Sequence, residues 1–225
     1  MSSAIHEIQP SETLSDLAIR LPGASRVFHR HRLDFCCGGR RSLAEACAAR
    51  GLDPARLVEE LGREVAEPAE IDWALRSLPD LIDHILVRFH EPLRAELPEL
   101  VRMARRVEEV HAEKPGCPLG LSAHLASVKE SLELHMQKEE RVLFPMIRAG
   151  RGAHAAGPVS VMEQEHDEHG VSLRRIRGLT GDLVPPAHAC TTWRALYLRL
   201  DALERELMEH IHLENNVLFP RALEG

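Results

Sequence analysis

Hydrophobic residues recur at steps of three and four over most of this 225-residue chain, with polar residues between them. This spacing places them on one face of an α-helix, and no segment shows the regular alternation that is typical of a half-buried strand. Four joined helical runs predict a four-helix bundle, in which Pro92 and Pro98 should kink or divide the first run. The runs cover Ser77 to Glu113, Pro118 to Ala149, Pro158 to Leu179, and Ala189 past Pro220.

The segment before the bundle predicts a small helical module. Ser42, followed three residues later by Glu45, has the spacing of a capping box at the start of a helix. The polar stretch at 64–70 contains one proline and few apolar residues, so it is the predicted linker. The sequence therefore predicts an all-α protein, with a small N-terminal helical domain at 1–66 and a four-helix bundle at 67–225.

One motif occurs twice in the bundle segment: a histidine, a glutamate four residues later, and then Val-Leu-Phe-Pro. The two copies carry His135 with Glu139 and His210 with Glu214, at the same spacing. Residues four apart lie one turn apart on the same helix face, so each copy directs a nitrogen and an oxygen to one point. Two such points facing each other predict a two-metal site. The Leu-Phe-Pro after each copy is interpreted as the end and the packing of a core helix.

Two further histidines lie in the apolar stripes of the other runs. His84 lies among Leu81, Ile82 and Ile85, and His166 lies in the stripe of the third run. The predicted metal ligands are His84, His135, Glu139, His166, His210 and Glu214. Burying two ionised carboxylates costs several kcal/mol unless they are compensated, and two cations would compensate them. A purely hydrogen-bonded network of histidines and glutamates is the alternative, and it explains six matched positions on four helices less well.

Other polar residues near the stripes are assigned less direct roles. His169 is interpreted as a hydrogen-bonding neighbour of the site, and His90 is interpreted as solvated because it lies off the stripe. Glu165 lies directly beside His166 and is expected to orient its imidazole or to line a path for a cation. Imidazole suits zinc, copper, nickel and iron, whereas carboxylate bridging in a helical bundle favours iron or manganese.

Composition narrows the classes of function. The net charge of -7 does not suggest the clustered basic surface that phosphate binding needs, so nucleic acid is not an expected partner. No apolar run approaches the length of a membrane span, and the N-terminus lacks the features of a secretory signal. Five cysteines, two of them adjacent, fit a reducing compartment. We therefore expect a cytoplasmic protein with no membrane partner.

The adjacent Cys36 and Cys37 precede two glycines that permit a sharp turn, so both thiols are expected to be exposed. Arg32, Arg40 and Arg41 would favour the reactive thiolate form. The pair fits a redox function, a thiol ligand for iron or nitric oxide, or simply a turn. A disulfide between adjacent cysteines is strained, and two thiolates alone do not complete a metal site.

Together these residues resemble the repair of iron centres family, a branch of the hemerythrin-like proteins. The resemblance covers nearly the whole chain. It rests on Asp34-Phe35-Cys36-Cys37-Gly38-Gly39, Ile82-Asp83-His84, His135-x3-Glu139, Glu165-His166-Asp167-Glu168 and His210-x3-Glu214-Asn215-Asn216. It implies a hemerythrin-like four-helix bundle with two non-haem iron ions, bridged by Glu139, Glu214 and an oxo group. It also implies that Cys36 and Cys37 form the family's cysteine motif, and with Glu165 they are the candidate catalytic residues.

The resemblance implies repair of iron-sulfur clusters damaged by nitric oxide or peroxide, with damaged iron-sulfur proteins as partners and nitric oxide or oxygen as small ligands. Iron donation and reduction of nitric oxide to nitrous oxide both fit the residues, so an enzymatic activity is undecided.

Oxygen-carrying hemerythrins have a histidine where this chain has Gly170 and an aspartate where it has Glu214. These departures predict a more labile centre, which suits iron donation and argues against stable oxygen carriage. A module that binds or senses oxygen or nitric oxide is the second hypothesis. Two-metal hydrolysis is a third, and it lacks a basic cluster to orient a substrate. The sequence leaves open whether the chain forms a homodimer.

Overall fold

Helices and their connecting turns make up almost all of the backbone in the computed structural model, which describes residues 8–21, 23–64 and 73–225. Within these ranges, β pairing is limited to one isolated bridge between Thr13 and Ser42. The predicted all-α class is therefore confirmed. The predicted domain boundary after residue 66 lies outside the described residues.

Four short helices form the N-terminal module. They are α1 (Leu14–Arg20), α2 (Ala24–Arg30), α3 (Leu43–Arg50) and α4 (Pro54–Glu64). The predicted capping box at the start of α3 is confirmed, because the side chains of Ser42 and Glu45 each accept a hydrogen bond from the other residue's backbone amide. Phe28 and Phe35 are buried in the core of this module, with ring centroids 5.9 Å apart.

Residues 73–225 form the four predicted helical runs. The first contains α5 (Leu78–Ile85) and α6 (Glu91–His111), the second α7 (Leu121–Lys138) and α8 (Phe144–Arg148), the third α9 (Ala156–Leu179), and the fourth α10 (Thr191–Leu213) and α11 (Phe219–Glu224). Helix α6 packs against both α7 and α10, and α7 packs against α9, so the runs surround a shared apolar interior. Among the described residues, no helix is both long and apolar enough to cross a membrane.

Three of the runs contain a π-helical turn, in which the helix widens by one residue. These turns span Leu86–His90, Glu139–Leu143 and Glu214–Leu218, and each begins six residues before a proline. A proline lacks an N–H and its ring collides with the carbonyl four residues earlier, which in each run belongs to the π turn. We infer that the wider turn relieves this collision, so each run continues through its proline. Helix α6 also continues past Pro98.

The N-terminal module docks onto the fourth run. Helix α2 packs against α10, and α1 contacts the π turn Glu214–Leu218. Residues 34–39, which we call the cysteine turn, are held by two side chains of that π turn. Asn215 Nδ2 donates to the backbone carbonyl of Cys36 at 3.1 Å, and Asn216 Nδ2 donates to that of Phe35 at 3.3 Å. The cysteine turn therefore lies against the bundle.

Candidate metal centre

Two groups of four side chains meet in the interior of the bundle and share two carboxylates. They are His90 and His210 in one group, His135 and His166 in the other, and Glu139 and Glu214 in both. Within each group the candidate ligand atoms all lie within 4.8 Å of one another, and every side chain is buried. Two imidazoles per group with shared carboxylates is an arrangement suited to two neighbouring metal ions.

The π turns explain why these residues converge. Glu139 and Glu214 are the first residues of their π turns, one helical turn after His135 and His210, and His90 is the last residue of the π turn in the first run. Such turns recur at functional sites, because the extra residue changes the direction of the side chains that follow.

The repeated Leu-Phe-Pro contributes to the site in two ways. Phe144 stacks on His90 and Phe219 stacks on His166, with ring centroids 5.8 and 6.0 Å apart. The motif therefore packs against candidate ligands, and the prediction that it ends a core helix is wrong, because each run continues through it. Each proline instead follows the π turn that starts at the glutamate, and it lies near the start of the next helical segment.

The two carboxylates are buried with too few donors. Within the described residues, neither oxygen of Glu139 accepts a hydrogen bond. Burial and the neighbouring Glu214 raise the pKa of Glu139 well above its ordinary value. Burial also pushes the pKa of Glu214 upward, but His210 and His166 outweigh this and hold it well below its ordinary value. A buried carboxylate without compensation is costly, so this pair fits cationic partners.

The histidine tautomers also indicate a site that is suited to cations. Nδ1 of His135 lies 2.9 Å from a carboxylate oxygen of Glu165, and Nδ1 of His166 lies 2.7 Å from the side-chain oxygen of Asn215. Both partners are acceptors, so each Nδ1 carries a proton and each Nε2 of a neutral ring presents a lone pair. The two Nε2 atoms lie 3.0 Å apart. Burial lowers the pKa of His135 well below its ordinary value, so its ring favours the neutral form, whose lone pair can bind a cation.

The structure brings His90, and not the predicted ligand His84, into the candidate site. The His84 ring lies against Trp73, with centroids 4.2 Å apart, and meets Phe89 edge-on. Phe89 in turn stacks on His210 at 5.3 Å, so its ring lies between His84 and the site. His90, predicted to be solvated, has no exposed surface. The π turn is the physical reason, because its extra residue brings His90 to the inward face.

Three of the four imidazoles are oriented by a side chain at Nδ1. Glu140 accepts from His90 at 2.7 Å, and Glu165 and Asn215 have this role for His135 and His166. Nδ1 of His210 has no hydrogen-bond partner among the described residues.

Two residues near the site make contacts that differ from the predicted ones. Glu165, predicted beside His166, orients the imidazole of His135 on the neighbouring run and pairs with Lys138. His169 is buried and meets His135 edge-on at 5.0 Å, but it lies outside both four-residue groups.

The cysteine turn differs from the predicted exposed and reactive pair. Cys36 is 5% exposed, Cys37 is half-buried, and their sulfur atoms lie 3.7 Å apart. Hydrogen bonding to Cys37 and burial raise the pKa of Cys36 well above its ordinary value, so the nearby arginines do not make it a ready nucleophile. Cys37 Sγ lies 3.4 Å from the backbone carbonyl of His166. The cysteine turn is thus in direct contact with α9 at a candidate ligand.

Gly170 of α9 lies beside the cysteine turn. A Cβ atom there would lie 3.9 Å from Cys37 Sγ and 3.6 Å from Arg174 Nη1, both ordinary van der Waals distances. The docked N-terminal module therefore borders position 170 of α9.

Comparison with known proteins assigns a family to each part of the chain. Residues 81–222 match the hemerythrin HHE cation binding domain, and residues 10–64 match a domain of unknown function, DUF542. The chain is 52% identical over 215 residues to the iron-sulfur cluster repair protein YtfE of Dickeya chrysanthemi, which covers 95% of this chain and 97% of that protein. It is 51% and 49% identical over 214 residues to the proteins of the same name from Cronobacter sakazakii and Escherichia coli, with the same coverage.

Proposed function

The chain belongs to the family of hemerythrin-like proteins with an N-terminal DUF542 domain, and we propose that it repairs iron-sulfur clusters damaged by nitric oxide or peroxide. One observation carries this proposal. Two buried groups of histidines share Glu139 and Glu214, and one of their histidines, His166, directly contacts the cysteine turn. A candidate metal site and a thiol-bearing turn therefore lie side by side. Damaged iron-sulfur proteins are the proposed partners, and the free cysteines support a cytoplasmic location.

We propose two iron ions as the metals. His90 and His210 would hold one, His135 and His166 the other, and Glu139 and Glu214 would be shared. Mixed imidazole and carboxylate donors suit iron, and two cations would neutralise the two buried carboxylates. When bound, iron supplies one-electron redox chemistry and an ion that can be passed to a damaged cluster.

The surrounding residues support two metal sites of unequal affinity. Hydrogen bonds at Nδ1 fix the orientation and raise the basicity of a ligand imidazole, and Glu140, Glu165 and Asn215 supply them. His210 has no such partner among the described residues, so we expect the His90–His210 group to hold its ion less tightly. A weakly held ion suits donation.

Of the candidate catalytic residues Cys36, Cys37 and Glu165, we propose a cysteine as the reactive group and Glu165 as a positioning residue. Cys37 is the better candidate of the two thiols, because it is half-buried whereas Cys36 is buried and its pKa is raised by Cys37 and by burial. Glu165 acts on the proposed site by orienting His135. A second function, reduction or reversible binding of nitric oxide or oxygen, would use the same groups.

The deciding experiment uses an iron-sulfur dehydratase whose cluster has been damaged by nitric oxide and then freed of excess gas. We expect the iron-loaded protein to restore its activity faster than an equal amount of free ferrous iron does. The Glu139→Gln variant, treated with iron in the same way, is the matched control and should not restore it. Recovery equal to that with free iron would contradict repair, whereas consumption of nitric oxide with release of nitrous oxide would favour the second function.

A further inference from the structure

A cavity of about 480 Å³ opens beside the cysteine turn, between the N-terminal module and α9. Cys37 forms part of its wall, and Leu14, Leu33 and Val171 supply apolar surface. A smaller cavity of about 100 Å³, lined by several of the same residues, reaches Cys36. The larger volume lies within the range of about 300 to 1,000 Å³ that is usual for small-molecule sites.

The wall of the larger cavity is positively charged. It carries four arginines, at positions 32, 41, 50 and 174, against the two carboxylates of Asp34 and Asp167. One oxygen of Asp34 already accepts from the backbone amides of Cys37 and Gly38, so this carboxylate is used to shape the turn. Within the described part of the chain, neither Arg41 nor Arg174 forms an ion pair with a carboxylate. The cavity therefore presents an excess of donors for an anion.

The backbone of Arg32 supports a role for its side chain. Arg32 has a φ of 57° and follows α2 at the position where helices commonly end with a left-handed residue. The amide of Leu33 donates to the carbonyl of Phe28 at 2.8 Å, which completes that end motif. Glycine would be favoured there by about 1 kcal/mol or more. An arginine at this position is accounted for by contacts of its guanidinium, which pairs with Asp182 and also lines the cavity.

Like charges crowd this region. Burial and the neighbouring guanidiniums of Arg177 and Arg50 lower the pKa of Arg32 from its ordinary value. Arg174 Nη1 and Cys37 Sγ both lie within 4 Å of the point where a Gly170 Cβ would stand. A bound anion would relieve the repulsion and would lie next to the Cys37 thiol.

We propose that this cavity binds a small thiol or disulfide that carries carboxylates, and that it presents this ligand to Cys37. With a disulfide, the Cys37 thiolate attacks one sulfur atom and a new sulfur–sulfur bond forms. The original disulfide bond breaks, and the other half leaves as a thiolate that takes up the proton lost by Cys37. The step is an exchange, so no further oxidant is needed. It concerns a small-molecule ligand and does not depend on whether the metal centre repairs clusters.

The test compares two disulfides of opposite charge character on the iron-loaded protein. Glutathione disulfide carries carboxylates, and 2-hydroxyethyl disulfide is neutral. We expect glutathione disulfide to form the adduct at Cys37 about tenfold faster, through electrostatic attraction to the cavity. Peptide mass spectrometry identifies the modified cysteine. Added salt should slow only the anionic reagent, because it screens exposed charges.

The Arg41→Gln/Arg174→Gln variant should lose about tenfold in rate with glutathione disulfide and keep its rate with the neutral reagent. Arg105→Gln, which removes an exposed arginine of α6 that does not line the cavity, is the matched control and should change neither rate. Circular dichroism and iron content verify that each variant is folded. Equal losses with both reagents, no salt dependence in the parent protein, or no adduct at Cys37 would each overturn the proposal.

Discussion

Asn215 donates a hydrogen bond from its side-chain Nδ2 to the backbone carbonyl of Cys36 at 3.1 Å. The oxygen of the same amide accepts from Nδ1 of His166 at 2.7 Å. One side chain therefore fixes both the position of the cysteine turn and the orientation of a candidate ligand. We therefore expect the position of the cysteine turn and the affinity of the metal site to depend on each other through this amide.

Replacing Asn215 by alanine should weaken both ends of this connection. We expect iron affinity to fall by about tenfold or more, because His166 loses the partner that orients its ring. Competition with a chelator measures the affinity, and hydrogen exchange of the amides of residues 35–38 measures the anchoring of the turn. Asn216→Ala is the control, since Asn216 holds the same turn through Phe35 but bonds to His212, which is not a candidate ligand. Equal iron affinity in the two variants would contradict the role of Asn215.

His90 and His84 can be told apart by metal content. His90→Ala removes a nitrogen from the first group and leaves its carboxylates undercompensated, so this variant should bind about half the iron of the parent or less. His84→Ala should keep the full amount, because His84 is separated from the site by Phe89. Iron per chain after loading and desalting is the measurement. Loss of iron in the His84 variant with retention in the His90 variant would reverse our correction.

Glu139→Gln should have opposite effects on protein stability in the metal-free and the iron-loaded protein. In the metal-free protein the substitution removes an ionisable group that is buried without donors, so the free energy of unfolding should rise by about 1 to 3 kcal/mol. In the iron-loaded protein it removes a shared ligand and should lower both iron content and thermal stability. Calorimetry of both forms provides the comparison. Glu130→Gln, at an exposed position of α7, should change neither form, and a stabilised iron-loaded Glu139 variant would count against the proposed site.

A pH dependence is expected from Glu204, which joins α10 to Arg177 of α9 at 2.8 Å and to His29 of α2 at 3.5 Å. Burial raises the pKa of Glu204, but the nearby His29 imidazole and the hydrogen bonds from Arg177 outweigh it and hold the pKa below the ordinary value of 4.5. The folded state therefore favours the ionised form. This contribution to stability is complete at neutral pH and is lost as the pH falls below 4.5 through the lowered pKa.

Glu204→Gln should consequently cost about 1 to 3 kcal/mol of unfolding free energy at neutral pH. The difference in unfolding free energy between this variant and the parent should shrink as the pH falls below 4.5. Urea unfolding of the metal-free protein at several pH values measures it. Glu59→Gln, whose pair with Arg63 is 69% and 77% exposed on the two side chains, should have little effect at any pH. A constant difference across the acid range would show that Glu204 acts by packing alone.

The outer parts of the metal centre illustrate where sequence reasoning reaches its limit. His90 was missed because a regular helical period continued from Leu81 and Ile85 places His84 inward. A signal was present, since the π turn of this run begins six residues before Pro92, as the other two do before Pro145 and Pro220. A proline that is taken to follow a widened turn, and not to end the helix, predicts that His90 faces the interior.

Local interactions within a few residues are what the sequence by itself determined. The spacing of His135 with Glu139 and of His210 with Glu214 fixes a common face, and Ser42 with Glu45 closes its own capping box, because both depend only on the geometry of one helical turn. Only the tertiary structure decided that Glu165 orients His135, that Asn215 reaches Cys36, and that Cys36 is buried. Those contacts join segments far apart in the chain, and their partners are set by how the helices pack.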